Sequence, residues 1–137
     1  MKKRLLYLIL PIIALILEIL PYGAVLIFAR PSEDGSIGYF RETYSYFDLL
    51  PFGYANFGPF ITAILTCIVL FLLVIYCLIG KRQLITVTKN IVCIATLSSC
   101  LPILMGVKFL SLVGILISLS LAAETWFLIK CGNNEEI

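Results

Sequence analysis

The chain has 137 residues, 61% of them hydrophobic and 13% charged, with a net charge of +2. A soluble domain is nearer a quarter charged, so this composition, with a mean hydropathy of +1.09, excludes an ordinary soluble globule and points to lipid as the solvent. The small, unclustered basic excess excludes a nucleic-acid surface, and the absence of histidine removes the commonest metal ligand and general base.

The first apolar stretch, residues 5–29, follows Lys2, Lys3 and Arg4. It is longer than the roughly 7–15 apolar residues of a secretory signal, and Ile27, Phe28 and Ala29 make a poor cleavage site, so it is expected to be a retained transmembrane helix. Glu18 lies near its middle, between Pro11 and Pro21. A carboxylate at that depth costs at least about 2.5–3.5 kcal/mol, and no Lys or Arg lies at the same depth, so a neutral carboxyl is expected. Two readings stand. Pro21 cannot donate to the Leu17 carbonyl, and Glu18 with Tyr22 would help to satisfy the broken helix. Alternatively Glu18 faces the bundle and binds a proton or a cation.

Residues 30–56 form the one sizeable loop. It opens with Pro31, Ser32, Glu33, Asp34 and Gly35, then turns aromatic, with nine Phe or Tyr residues between Tyr39 and Phe60. Aromatic rings favour the headgroup zone, so Tyr44, Tyr46, Phe47, Phe52, Tyr54 and Phe57 are expected either as an interfacial belt or as a contact surface for a partner or lipid.

Three more apolar stretches follow, at 57–79, 88–107 and 109–129. Each is close to the roughly 20 residues that cross the hydrocarbon core, the third lengthened by Lys89 snorkelling to the surface. Gly106 suits the reversal between the last two. On one side of the resulting bundle lie seven basic residues (Lys2, Lys3, Arg4, Lys81, Arg82, Lys89, Lys130) and on the other three (Arg30, Arg41, Lys108). The positive-inside rule then puts both termini in the cytoplasm. The expected fold is an all-α, four-span helix bundle, N-in and C-in, forming one domain over 1–137. Its expected setting is the plasma membrane of a bacterial cell.

In the third span Thr88, Ala95, Ser99, Pro102 and Gly106 fall on one stripe. In the fourth Ser111, Gly114, Ser118, Ala122 and Thr125 do the same. Small residues let transmembrane backbones approach, so the two stripes are expected to face each other. Glu124 sits about 9 Å inside the cytoplasmic boundary, against about 20 Å for Glu18. A direct carboxyl pair is therefore disfavoured, and Glu124 is expected to reach the interface or bond Ser120. Trp126 reads as an interfacial anchor. Cys67, Cys77, Cys93 and Cys100 lie within apolar runs and read as small buried fillers. With no CxxC and no cysteine in the outer loop, neither a redox pair nor a stapled ectodomain is expected.

No nucleotide, metalloprotease or hydrolase motif occurs, so neither an enzyme nor a bound cofactor is expected. A small chain with four spans and a central glutamate in the first, within Ala14, Leu15, Ile16, Leu17, Glu18, Ile19 and Leu20, resembles the small multidrug resistance transporters. The resemblance covers that one segment and implies a dimer in which Glu18 binds a proton or a cationic substrate. The 27-residue outer loop and a single Trp in the fourth span depart from that family. Two functions are thus expected, in this order: an accessory or assembly subunit acting on a membrane-protein partner or a second copy through its outer loop and helix faces, or a small proton- or cation-coupled transporter.

Overall fold

The structure is a computed structural model that describes residues 5–31, 36–48 and 57–134. A 3-10 turn at Leu6–Leu8 leads into α1 (Ile9–Ile19), followed by β1 (Ala24–Pro31) and β2 (Ile37–Tyr44). Then come α2 (Gly58–Ile79), α3 (Arg82–Ser99), a short α4 (Leu101–Met105), a second 3-10 turn at Val107–Phe109, and α5 (Leu112–Asn134). Three helical stretches, Gly58–Ile79, Arg82–Met105 and Leu112–Lys130, are long and apolar enough to cross a membrane. They mark the chain as a mostly helical membrane protein.

The first apolar stretch departs from expectation. Its helical part, Leu6–Ile19, covers about 21 Å, short of the roughly 30 Å hydrocarbon core. The cause is local at first. A residue before proline is pushed out of the helical region, and Leu20, before Pro21, is extended at φ −65°, ψ 136°. Beyond Gly23 the run Ala24, Val25, Leu26, Ile27, Phe28 is too short for periodicity to separate strand from helix, and its β-branched and aromatic content suits a strand. It pairs antiparallel with β2, from Ala24 opposite Tyr44 to Pro31 opposite Ile37. The expected span 5–29 is thus helix and then strand, and the expected outer loop contributes the second strand of a hairpin. Phe28 and Phe40, directly opposite, stack at 5.3 Å between centroids, a stabilising cross-strand pair. The base of β1 is buried and its far end exposed, while β2 is exposed over most of its length.

The long helices carry clear end signals. Pro59 opens α2, where its missing N–H costs nothing. Gly80 closes it in the left-handed region at φ 75°, its N–H donating to the Tyr76 carbonyl at 2.8 Å. Gly106, at φ 121°, falls in the reversal after α4. That reversal runs through Val107–Phe109, so the last helix begins at Leu112, later than the expected 109.

The four main helices close a ring in which α1 packs on α2, α2 on α3, α3 on α5 and α5 on α1. Neighbours run antiparallel. Tyr7 meets Tyr76 while Glu18 meets Thr66. Ser99 meets Ser118 while Thr96 meets Thr125. The start of α1, the α2–α3 turn and the end of α5 therefore lie at one end of the bundle, with the hairpin and the α4–α5 turn at the other. The core has two layers. One gathers Tyr7, Val69, Leu73, Tyr76, Ile85, Val92 and Leu128. The other, nearer the hairpin, gathers Ala14, Ala24, Tyr46, Ala63, Ala95, Ile117 and Leu121. Outward faces are apolar on every main helix (Ile16, Phe71, Leu97, Leu119), as lipid requires and water penalises.

Candidate functional site in the hairpin half of the bundle

Two carboxyl groups are buried in the bundle, Glu18 on α1 and Glu124 on α5. Pro11, Ala14 and Glu18 form the buried face of α1, spaced three and four residues apart as a helix stripe requires. On α5 the same spacing buries Ile117, Leu121, Glu124 and Leu128. Glu18 is 0% exposed and Glu124 is 1% exposed.

Among the described residues the Glu18 side chain has one hydrogen-bond partner. The Thr66 hydroxyl oxygen lies 2.8 Å from Glu18 Oε1 and 3.0 Å from the Thr62 carbonyl oxygen. A threonine has one hydroxyl proton, so both contacts are full hydrogen bonds only if the carboxyl supplies the second. The geometry suits a neutral Glu18 that donates to Thr66, which in turn donates to Thr62. Glu18 Oε2 and both carboxyl oxygens of Glu124 are buried without a hydrogen-bond partner among the described residues.

The two carboxyls lie within electrostatic reach of each other without sharing a hydrogen bond. Tyr7 and Phe127 pack at 5.3 Å between ring centroids, and counting along both helices from that contact puts Glu124 about 12 Å along the bundle axis from Glu18. Two separated carboxyls and neighbouring hydroxyls can hold a proton or one desolvated monovalent cation. They fall short of the six to eight oxygens a calcium ion takes, and no cluster of three metal-ligating side chains forms among the described residues.

Several sequence-based expectations are corrected. The Leu17 carbonyl accepts the Leu20 N–H at 3.3 Å, so the Glu18 side chain is not recruited to satisfy it. Glu18's own carbonyl accepts the Tyr46 N–H at 3.0 Å and the Ser45 hydroxyl at 3.2 Å. Tyr22 does not join the site. It is 59% exposed in the turn after α1, because the helix that would have carried it one turn beyond Glu18 has already ended. Glu124 is not interfacial, since the inward stripe of α5 carries it into the bundle. Ser120 does not bond it and donates instead to the Ile117 carbonyl at 2.8 Å.

Tyr46, expected at an outer contact surface, is instead a plug, 2% exposed. Two glycines make its seat. A Cβ on Gly23 would lie 2.8 Å from Tyr46 Cδ1, and one on Gly114 would lie 3.0 Å from the Gly23 carbonyl oxygen and 3.4 Å from the Tyr46 hydroxyl oxygen. Burial pushes the Tyr46 phenol pKa above its ordinary value. Of the other aromatic contact residues, Phe47 and Phe57 are exposed and Tyr44 is half-buried, its hydroxyl donating to Glu42 Oε2 at 2.5 Å. That bond, first, holds the Tyr44 phenol pKa above its usual range. Phe52 and Tyr54 lie outside the described residues.

The two small-residue stripes meet in part. Ala95 and Ser99 are buried, and the Ser118 hydroxyl lies 3.2 Å from the Ser99 carbonyl as donor. Gly114 serves Tyr46 and Gly23 rather than the third span, Ala122 is exposed, and Gly106 has open space around it. The cysteines are not core fillers. Cys67 and Cys93 are exposed and Cys77 and Cys100 half-buried, because the inward faces of α2 and α3 are taken by Thr62, Thr66, Val69, Val92 and Ala95.

Sequence reading missed Thr66 and Ser45, and named Ser111 on the fourth-span stripe without its contact. The hydroxyls of Thr62 and Thr66, one turn apart in an apolar helix, were the available signal for a polar stripe. Ser45 carries a local signal too, a serine three residues before an aspartate. Asp48 Oδ2 accepts the Ser45 N–H at 2.7 Å, and the Ser45 hydroxyl accepts the Phe47 N–H at 3.0 Å. Ser111 donates to the Gly23 carbonyl at 2.5 Å, a contact between residues far apart in the chain that carries no sequence signature.

No protein-family model matches the chain, and comparison with curated proteins and with solved structures returns no match. The functional reading therefore rests on the geometry of the chain itself.

Proposed function

We propose that the chain is a four-span protein of a bacterial plasma membrane, with both termini in the cytoplasm, whose bundle binds and passes a proton or small monovalent cation at Glu18, with Glu124 as a second station. The observation that carries this reading is the set of three carboxyl oxygens buried without hydrogen-bond partners. A buried polar group left unsatisfied costs about 1–3 kcal/mol, and ionisable residues inside a membrane mark ion or proton paths by default. The main structural task at this point of the fold, capping the end of α1, is met by backbone and Ser45 contacts to the Glu18 carbonyl. It leaves the carboxyl free for other work. The seven-to-three division of basic residues supports the orientation. In this reading α1 makes the first crossing with the hairpin in the outer headgroup zone, because open strand edges are not tolerated in hydrocarbon.

The test is flux into sealed vesicles. Purified protein reconstituted with a pH-sensitive dye inside is expected to carry protons, or sodium or potassium ions counted with a tracer, down an imposed gradient. Glu18→Gln is expected to abolish that flux, and Glu124→Gln to slow it, while both variants elute as monodisperse species. Vesicles that stay as tight to all three ions as empty ones would defeat the proposal.

A second reading, an accessory or assembly subunit without enzymatic activity, draws support from the hairpin end, where Ile37, Tyr39, Phe40, Phe47 and Phe57 are all exposed. It predicts that the Tyr39→Ser, Phe47→Ser, Phe57→Ser triple variant loses a co-purifying membrane protein that the parent chain retains in mild detergent. An unchanged pull-down removes this reading.

A further inference from the structure

Away from the carboxyl pair, an open cleft of about 630 Å³ lies between the hairpin and the α4–α5 turn. Its size falls within the roughly 300–1,000 Å³ of small-molecule sites. Its apolar wall is Ile27, Phe40, Val107 and Phe109, with Tyr39 beside them, and its two charged lining residues are Arg41 and Lys108. Among the described residues no acidic side chain lines it. Glu42, next to Arg41 in β2, accepts the Tyr44 hydroxyl instead.

The two cations are held differently. Arg41 donates from a terminal guanidinium nitrogen to the Leu110 carbonyl at 2.6 Å, which pins the hairpin to the α4–α5 turn and fixes the guanidinium at the cleft. A guanidinium has five N–H donors, so this bond leaves most of them for an anion. Lys108 is carried by the 3-10 turn that follows Gly106. Gly106 adopts φ 121°, in the region that favours glycine, and this reversal delivers Lys108 to the same cleft as Arg41. The surface around it is strongly apolar, with Val107 exposed on the turn and Leu104 and Met105 exposed on the adjoining α4.

A pair of cations with no lining acid among the described residues, set in an apolar and aromatic wall at the end of a transmembrane bundle, suits an anion that carries an apolar tail. We infer that this cleft binds the headgroup of an anionic phospholipid. The phosphate lies between Arg41 and Lys108, and an acyl chain runs along the apolar wall towards α4. Arg41 supplies directed donors to the phosphate oxygens and Lys108 a mobile point charge. Tyr39 adds the ring that interfaces favour.

The test is lipid retention by native mass spectrometry, with protein drawn from nanodiscs of equal phosphatidylglycerol and phosphatidylcholine content. The parent chain is expected to keep phosphatidylglycerol over phosphatidylcholine by about tenfold or more, since each basic residue near an anionic surface contributes about fivefold. Lys108→Gln, which touches no described hydrogen bond, is expected to lower that ratio by about fivefold, and Arg41→Gln by at least as much. Lys130→Gln, a basic residue at the opposite end of the bundle, is expected to leave it unchanged. Equal retention of the two lipids by the parent chain overturns the inference, as does an equal loss in Lys130→Gln, which would reduce the effect to net charge. The result does not depend on whether vesicles pass protons, so it stands or falls separately from the carboxyl pair.

Discussion

The two layers of the bundle core are built on opposite plans. The layer near the termini is sealed by large side chains. Tyr7 meets Tyr76 edge-on at 6.0 Å and Phe127 at 5.3 Å, with Leu73, Val69 and Val92 fully buried around them. The layer near the hairpin mixes four alanines, threonine hydroxyls, the Tyr46 plug and Glu18 with Ile117 and Leu121. The first plan gains dispersion contacts and leaves little polar matter unsatisfied. The second leaves carboxyl oxygens without partners. The contrast is between a layer packed for stability and one that carries unsatisfied polar groups, the division expected where, as proposed above, function sits in a locally unfavourable site.

That comparison can be broken. The largest effect is expected in the sealed layer: Leu73→Ala should destabilise the bundle by about 2–5 kcal/mol, seen as a lower midpoint of denaturant unfolding in detergent micelles. A shift no larger than that of a lipid-facing Leu97→Ala control would contradict the role given to this layer. Next comes Gly23→Ala, where the new methyl meets the Tyr46 ring at 2.8 Å. Overpacking there should cost about 1–3 kcal/mol, and Tyr46→Leu in the same chain should recover part of it. If the double variant is no better than the single one, Tyr46 is not the obstacle.

Thr66→Val removes the one hydrogen bond to the Glu18 side chain among the described residues, and a loss of about 1 kcal/mol is expected. A larger sign of this change should be infrared, as a shift of the Glu18 carboxyl stretching band that Glu18→Gln then eliminates. A band unmoved by Thr66→Val would argue against the contact. The smallest and most diagnostic prediction concerns Glu124. With no hydrogen bond to lose among the described residues, Glu124→Leu should cost nothing, or stabilise the fold, because an apolar group of similar size replaces an unsatisfied one. The same variant should transport poorly. Destabilisation by more than about 1 kcal/mol would reveal a partner for Glu124 and weaken the functional reading.

Legibility in the sequence followed the range of the interaction that decides each feature. The second helix was readable nearly to the residue, because Pro59 and Gly80 punctuate it locally. The third and last helices were readable from apolar length, although the reversal at Gly106 extends further than its glycine alone suggests. Glu18 stands out as a charge in a greasy run. The burial of Glu124 does not, since a count of depth along a helix is silent on which face turns inward. Tyr46 looked like one more loop aromatic because its seat is made by Gly23 and Gly114, residues remote from it in the chain.

Composition by itself determined that lipid is the solvent, that helices dominate, and that a lone carboxyl sits in an apolar segment, because these are sums and local patterns over neighbouring residues. Only the tertiary structure decided that the first apolar run changes from helix to strand. Ala24–Pro31 needed Ile37–Tyr44 to accept its hydrogen bonds, and no local preference can supply a partner strand. The meeting of Thr66 with Glu18, and the inward turn of Glu124 on the ring of helices, belong to the same class. They are long-range choices of partner, settled when the faces pack and not before.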